Sequence, residues 1–181
     1  MMIQSEESNT ILIEGCLKKD QKSHKALFEI FAPTMYAICF RYAGNEDQAK
    51  DLLQEGFIKV FNKLNDFKFE GSFEGWMKRV FINNSLEYLR KENRQPHKVD
   101  VEEVYDLQSE DLSFEGLDVE KIMFQIQKLP PGYRAAINLY IIEGYSHKEI
   151  AEMLEISEST SKSQLYKARQ MLQKMLIPLF K

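Results

Sequence analysis

The sequence has few of the residues that build metal centres, disulfide frameworks and membrane spans. Its 181 residues include only two cysteines, Cys16 and Cys39, and three scattered histidines. Because the cysteines form no CxxC pair and lie among apolar residues, we expect both to pack in a core rather than bind zinc or form a disulfide. No apolar run approaches the roughly 20 residues of a membrane span, and the N-terminus lacks the basic and apolar regions of a signal peptide. These absences predict a cytoplasmic protein without a metal, a cofactor or a membrane-inserted segment.

Motifs for catalysis are also scarce. The best candidates for an acid–base or metal site are Glu143, His147 and Glu149, but a Glu and a His on opposite sides of a helix start have no third ligand nearby. The sequence contains no nucleophile motif and no phosphate-binding glycine loop. We therefore predict that the chain is not an enzyme and takes no small-molecule substrate.

The charge that is present is distributed unevenly along the chain. The formal net charge of −4 is the sum of 0 over residues 1–94, −8 over 95–120 and +4 over 121–181. Phosphate contacts act within a Debye length of about 8 Å, so the local charge of one face matters more than the net charge. An acidic chain with this distribution can still bind nucleic acid.

The spacing of apolar residues predicts an all-α fold, and no alternating strand pattern competes with it. The strongest amphipathic pattern covers 46–64, and Pro33 predicts a kink or break in its helix. The predicted helices cover 10–17, 23–42, 46–64, 72–92, 118–128, 132–143, 147–155 and 158–177.

The segment 95–117 is acidic, begins close to a proline and has little periodicity, which is typical of a linker. We predict two small helical domains, residues 1–94 and 118–181, joined by this acidic linker.

The second domain contains a helix-turn-helix pattern. A helix from about 147 is followed by a turn near Glu155 and by a second helix that Ser157 can cap. If Leu165, Ala168 and Leu172 point inward, hydroxyls and cations occupy the opposite face, and the last 23 residues contain five basic and no acidic side chains. This pattern favours a helix that enters the major groove over an ordinary solvated surface. The predicted DNA-binding residues are Ser159, Thr160, Lys162, Ser163, Tyr166, Lys167 and Arg169.

Three stretches carry a resemblance to one family. LPPGYRAAINLYIIEGYSHKEIAEMLEISESTSKSQLYKAR (129–169) resembles the fourth region of bacterial sigma factors, which reads the −35 element. DLLQEGFIKVFNKL (51–64) is similar to the helix that grips the clamp helices of RNA polymerase, and FKFEGSFEGWMKRVFINNSLEYLRK (67–91) resembles the part that melts and reads the −10 element. Because nothing resembles the third region, the chain looks like an extracytoplasmic-function (ECF) sigma factor of the sigma-70 family over about residues 20 to 175.

The resemblance implies a transcription initiation factor with two partners, core RNA polymerase and promoter DNA. It places Asp51, Gln54 and Glu55 against the clamp helices of the largest polymerase subunit. A base of the opened −10 strand would enter a pocket with Phe67 and Asn83 as contacts and Val80 as an apolar wall. We expect Trp76 to be partly buried in the core. Asn84 is expected to be one of the polar residues that suit single-stranded DNA. The −10 candidates are Phe67, Lys78, Arg79, Val80, Asn83, Arg90, Lys91 and Arg94.

Further implications concern regulation and the linker. Members of the family are commonly held inactive by an anti-sigma factor, so such a partner is expected here too. In the family the linker runs through polymerase toward the RNA exit path, so the acidic segment 95–117 is expected to mimic the RNA polyanion until the transcript displaces it.

The sequence departs from the family pattern at three positions of the second domain. Glu155 stands where glycine is usual, so a left-handed backbone there would be strained. Ser161 replaces a usual valine and Gln164 an arginine, so the promoter sequence cannot be copied from relatives.

Two other interpretations stay open from sequence. A conventional helix-turn-helix regulator would bind duplex operators as a dimer without polymerase, and an adaptor would hold another protein through its first lobe. Complex formation with core polymerase separates these classes from a sigma factor.

Overall fold

The computed structural model describes residues 6–93 and 119–180, and within them it shows eight α-helices and no strand. The predicted all-α fold is confirmed. Arg94 and the predicted linker 95–117 lie outside the described residues. The helices are α1 (Glu6–Leu17), α2 (Gln21–Tyr42), α3 (Glu46–Asn62), α4 (Phe73–Asn93), α5 (Val119–Gln127), α6 (Pro131–Ile137), α7 (His147–Leu154) and α8 (Glu158–Leu176).

The chain divides into two compact units between Ser85 and Leu86, inside α4. The last two turns of α4 therefore belong to the second unit. The domain limits 1–94, 95–117 and 118–181 stay predictions. None of the described helices is both long and apolar enough to cross a bilayer.

In the first unit, α2 packs against both α1 and α3. It runs from Gln21 to Tyr42 without interruption, so the predicted break at Pro33 is wrong. Pro33 itself is exposed, whereas Phe31 and Met35 on either side are buried. Burial of these neighbours holds the helix together across the one backbone hydrogen bond that a proline removes.

Helix α3 has one buried face, and a glycine sets how closely α4 approaches it. A Cβ atom added to Gly56 would overlap the ring of Phe81. The Phe57 and Phe81 rings meet edge to face, with centroids 5.3 Å apart. Leu52 is buried one turn before Gly56. This packing fixes the rotation of α3 and leaves its opposite face toward solvent.

The second unit has its own apolar core, formed by α5, α6 and α8. Arg134 of α6 is buried there, and its Nε and Nη2 atoms donate to the carbonyl of Leu129 at 3.3 and 3.0 Å. Burial lowers the pKa of Arg134, and nearby Glu92 opposes that shift. The helix predicted over 132–143 is α-helical only to Ile137 and continues as a π-helical turn, Asn138–Ile142.

Both cysteines are buried and free, as the sequence predicts. Burial raises the pKa of Cys39 to about 12. Its thiol therefore stays protonated at neutral pH and acts as a small apolar core group.

Candidate nucleic-acid and polymerase interface

Helix α3 carries the predicted polymerase contacts on its exposed face. Asn45 caps the helix, its Oδ1 atom accepting from the backbone N–H of Gln48 at 2.9 Å. Asp51, Gln54 and Glu55 are all exposed, on the side of α3 away from its buried face. A rigid helix thus presents two carboxylates and an amide to solvent, a set suited to charge-assisted hydrogen bonds with a cationic partner.

The connection between α3 and α4 is an open loop with strained backbone. Phe69 has a φ of 58° and Gly71 a φ of 122°. Glycine adopts positive φ without strain, but a bulky aromatic residue rarely does. The Phe69 side chain is 52% exposed, so burial does not account for this conformation. An exposed ring held on a strained backbone is typical of a binding loop.

Phe67 lies at the centre of an aromatic cluster beside this loop. Its ring centroid is 4.9 Å from that of Phe69, 5.2 Å from Phe73 and 5.6 Å from Trp76. Phe73 is buried, whereas Phe67 and Trp76 are half-buried, as expected for Trp76. A cleft of about 420 Å³ opens here and is lined by Phe67, Trp76 and Arg79, among others. Aromatic walls with a cation at the rim suit an unstacked base and its phosphate.

The other two residues of the predicted pocket, Val80 and Asn83, lie further along α4 and are not among the residues that line this cleft. Val80 and Asn83 follow Trp76 by four and seven residues and so share its side of the helix. Val80 is half-buried and Asn83 exposed. The exposed side chain of Arg79 reaches the cleft, and half-buried Lys78 pairs with Glu74 at 2.7 Å.

The expectation for Asn84 is wrong. Its side chain is buried, and its Nδ2 atom donates to the carbonyl of Leu52 at 3.3 Å, joining α4 to α3. Asn84 follows buried Phe73, Met77 and Phe81 at helical spacing, so the apolar stripe itself placed it inside.

The cations at the end of α4 differ in their surroundings. Lys91 is exposed, and Arg94 lies outside the described residues. Half-buried Arg90 donates from Nη1 to Oε1 of Glu155 at 2.6 Å, within the second unit. This pair offsets part of the charge that Arg90 would offer to a DNA backbone. No local sequence pattern predicts a pair separated by 65 residues.

Helices α7 and α8 form the predicted helix-turn-helix. Ser146 and Glu149 make a reciprocal capping box at the start of α7. Glu155 ends α7 with φ 58° and ψ 43°, the left-handed conformation expected from its place in the family pattern. Ser157 caps α8, its hydroxyl accepting from the backbone N–H of Thr160 at 3.0 Å.

The outer face of α8 presents the predicted −35 residues. Thr160 is half-buried, and the other six are exposed, namely Ser159, Lys162, Ser163, Tyr166, Lys167 and Arg169. Lys162 pairs with Glu158 at 2.8 Å, and this lysine lowers the pKa of Glu158. Both side chains of this pair are exposed, so the pair contributes little free energy. A DNA phosphate can therefore replace Glu158 as the partner of Lys162 at little cost in free energy.

The inner face of α8 holds the residues that depart from the family pattern. Ser161 is buried, and its Oγ atom lies 3.0 Å from Nδ1 of His147, whose ring stacks on Tyr140 with centroids 4.6 Å apart. Gln164 is half-buried, with its amide close to Gly132 of α6. At Ser161, where loss of the usual valine was expected to weaken apolar packing, a hydrogen bond to His147 joins α8 to α7.

Comparison with known proteins agrees with this geometry. The family model for sigma-70 region 2 matches residues 27–95, and the model for sigma-70 region 4 matches residues 120–172. The ECF RNA polymerase sigma-E factor of Haemophilus influenzae is 30% identical over 183 residues, which cover 93% of this chain and 95% of that protein. The chain belongs to the ECF sigma factors of the sigma-70 family.

Two further matches are less identical to this ECF sigma factor. The RNA polymerase sigma-H factor of Pseudomonas aeruginosa is 26% identical, with 98% of each chain covered. Among solved structures, the sigma factor RpoE from Bartonella quintana, crystallised with the anti-sigma factor NepR, matches with a TM-score of 0.52 and 23% identity. The match covers 86% of this chain and 97% of that one, and it supports the fold.

Proposed function

We propose that this ECF sigma factor acts in the bacterial cytoplasm, binds core RNA polymerase through α3 and directs initiation by reading −10 and −35 elements with separate units. The observation that carries the proposal is that the acidic face of α3, the aromatic cleft beside α4 and the outer face of α8 are all solvent-accessible in one chain. The factor has no catalysis of its own to perform, because polymerase supplies the chemistry.

In the first unit, the exposed face of α3 meets the clamp helices of the largest polymerase subunit. Asp51 and Glu55 accept hydrogen bonds from cations of that subunit, and Gln54 adds an amide between them. The aromatic cleft and the α4 face then take a base that leaves the −10 stack. Phe67 provides a stacking surface, Asn83 reads a base edge and the cations hold phosphates.

In the second unit, α8 enters the major groove at the −35 element. Ser159, Lys162, Ser163 and Tyr166 lie nearest its capped N-terminal end, the end that a recognition helix presents to base edges. Lys167 and Arg169 lie further along and meet phosphates. An anti-sigma factor is the expected regulator, since the Bartonella sigma factor of the same fold was crystallised with one.

Assembly with core polymerase tests the proposal. The purified chain is mixed with core enzyme and the product is sized, first for wild type and then for Asp51→Asn and Glu55→Gln. Loss of a charge from a buried interfacial pair costs about 2 kcal/mol or more, so each variant should bind core roughly 30-fold more weakly.

Glu29→Gln is the matched control, because Glu29 is also exposed but lies on α2. Wild-type chain that does not bind core, but binds duplex promoter DNA as a dimer, would establish the conventional regulator instead. Full-strength assembly of both α3 variants would refute the assignment of this face.

A further inference from the structure

Tyr166 is the aromatic residue among the predicted −35 contacts, and the structure gives its hydroxyl a defined partner. The Nε2 atom of Gln170, one turn further along α8, donates to the Tyr166 hydroxyl oxygen at 2.7 Å. Tyr166 is 45% exposed, whereas Gln170 is only 5% exposed. A buried amide thus holds the end of an exposed ring, and no DNA contact has been assigned to that amide.

We propose that Gln170 is a positioning residue for promoter reading. It orients the Tyr166 hydroxyl so that this group donates a hydrogen bond to an acceptor on a base edge in the −35 major groove. The inference rests on the proposed function, because it requires α8 to enter that groove. It adds a residue outside the predicted DNA contacts, and it names the chemistry that Tyr166 selects: a ring nitrogen or a carbonyl oxygen of a base.

The direction of this hydrogen bond decides what the hydroxyl offers to DNA. A phenol has one O–H donor and accepts through the lone pairs of its oxygen. The hydroxyl hydrogen prefers the plane of the ring, where it can point to either of two sides. The Gln170 amide donates into the oxygen from one side. The hydrogen therefore takes the other side, so Tyr166 presents a donor to a ligand that approaches it away from Gln170.

The arrangement is local to one helix, so it exists before DNA binds. Residues four apart lie on the same side of a helix, and Tyr166 and Gln170 are both well inside α8. Because Gln170 is buried, little water competes for its amide. A side chain that is already oriented loses less conformational entropy on binding. Gln170 therefore contributes to affinity and to selectivity without touching DNA.

A hydroxyl that is fixed as a donor distinguishes between bases. In the major groove guanine presents the acceptors N7 and O6, thymine presents O4, and adenine presents N7 beside an amino group. Cytosine presents only its amino donor there. Two donors that face each other leave both without a partner, which costs free energy. We therefore expect Tyr166 to contact guanine, thymine or the N7 atom of adenine, and to disfavour cytosine.

Base-analogue scanning of the −35 duplex tests this inference. Holoenzyme is reconstituted from the full chain and core polymerase, and the promoter is one identified by sequencing its transcripts. Each duplex fragment carries one 7-deazapurine, which lacks the N7 acceptor, or one guanine or thymine whose carbonyl oxygen is replaced by sulfur, a weaker acceptor. Fluorescence anisotropy compares their affinities with that of the natural fragment.

Tyr166→Phe identifies the position that the hydroxyl contacts. This variant should bind the natural fragment roughly two- to tenfold more weakly, the range for one neutral hydrogen bond. It should also lose sensitivity to the analogue at one position only. Positions read by other side chains should stay sensitive, and they serve as an internal control.

Two variants of Gln170 test its positioning role. Gln170→Glu keeps the shape of the side chain, but a carboxylate only accepts, so the Tyr166 hydrogen turns inward and the same position should lose its sensitivity. Gln170→Met removes the partner without adding a charge, so it should lower the sensitivity at that position even if the glutamate variant does not fold. Gln173→Glu and Gln173→Met, at a half-buried glutamine of the same helix, are the matched controls and should keep the wild-type profile.

The outcomes separate this inference from the proposed function. A wild-type profile with no sensitive position refutes base reading by α8 itself. Sensitive positions that Tyr166→Phe leaves unchanged overturn the inference but leave base reading by α8 intact. Uniform weakening of every fragment by Tyr166→Phe would place the hydroxyl on a phosphate and also overturn it. A wild-type profile in both Gln170 variants would make Gln170 a structural residue without a positioning role.

Discussion

The two surfaces of this sigma factor that we propose face DNA are built in opposite ways. The first unit offers clefts, with aromatic walls and a strained loop at Phe69. The second offers a projecting helix face, in which Ser157 caps α8 and hydroxyls and lysines point outward. If the proposed assignments hold, the difference follows from the state of the DNA that each surface meets. An unpaired base exposes a flat face that needs a stacking partner, whereas a duplex exposes only base edges within a groove.

The largest expected effect is the loss of base capture in the first unit without any change in the second. Phe67→Ala removes the ring at the centre of the aromatic cluster, so binding of the single-stranded −10 oligonucleotide to holoenzyme should weaken by roughly 1–3 kcal/mol. Binding of a duplex −35 fragment should stay the same. Fluorescence anisotropy with both probes measures the contrast.

Phe67→Leu is the control for packing, since it keeps apolar volume but has no aromatic face. It should restore stability but not base capture. An equal loss of −10 and −35 binding in Phe67→Ala would mean that the two surfaces do not work separately.

The converse change removes cations from the second unit. Lys162→Ala combined with Lys167→Ala should weaken capture of −35 duplex and lower the slope of log affinity against log salt by about 1, because Lys167 meets a phosphate whereas Lys162 meets a base edge. Assembly with core polymerase should be unaffected. Lys174→Ala, an exposed lysine in the last turn of α8, should leave the salt slope close to wild type. Joint loss of promoter and polymerase binding would contradict this division of roles.

A smaller contrast concerns the polar ties inside each unit. Asn84 joins α4 to α3 by a hydrogen bond to Leu52, and Ser161 joins α8 to α7 through His147. Asn84→Ala should lower the free energy of unfolding by about 1–3 kcal/mol, because its site is buried on all sides. Ser161→Ala should cost about 0.5–1.5 kcal/mol, since half-buried His147 can bind water instead. Urea denaturation measures both, and the reverse order would contradict this account.

How far the sequence predicted this structure depends on the distance over which each feature is determined. The helices, the Ser157 cap and the exposed faces of α3 and α8 follow from local periodicity, which is visible in one chain. The break at Pro33 was wrongly predicted, because packing of Phe31 and Met35 outweighs a local helix breaker. The pair of Arg90 with Glu155 joins residues far apart in sequence, so no local pattern encodes it.

The smallest expected effect concerns Glu155, in the turn of the helix-turn-helix. Like Phe69 in the first unit, Glu155 is a non-glycine residue with a positive φ. Glu155→Gln keeps the left-handed backbone strain and removes the charge pair with Arg90, so it should lower the free energy of unfolding by about 0–1 kcal/mol. Glu155→Gly removes the same pair and also the strain, which costs a non-glycine residue about 1 kcal/mol.

The two variants should therefore differ by about 1 kcal/mol in urea denaturation, with Glu155→Gly the more stable. Both release Arg90, so both should strengthen the salt dependence of −10 strand binding if this arginine follows the DNA backbone. Equal stability of the two variants would mean that the turn stores no strain. Glu155 and Phe69 would then share a positive φ but not an energetic cost. An unchanged salt dependence would remove Arg90 from the −10 surface and leave its guanidinium a structural partner of the turn.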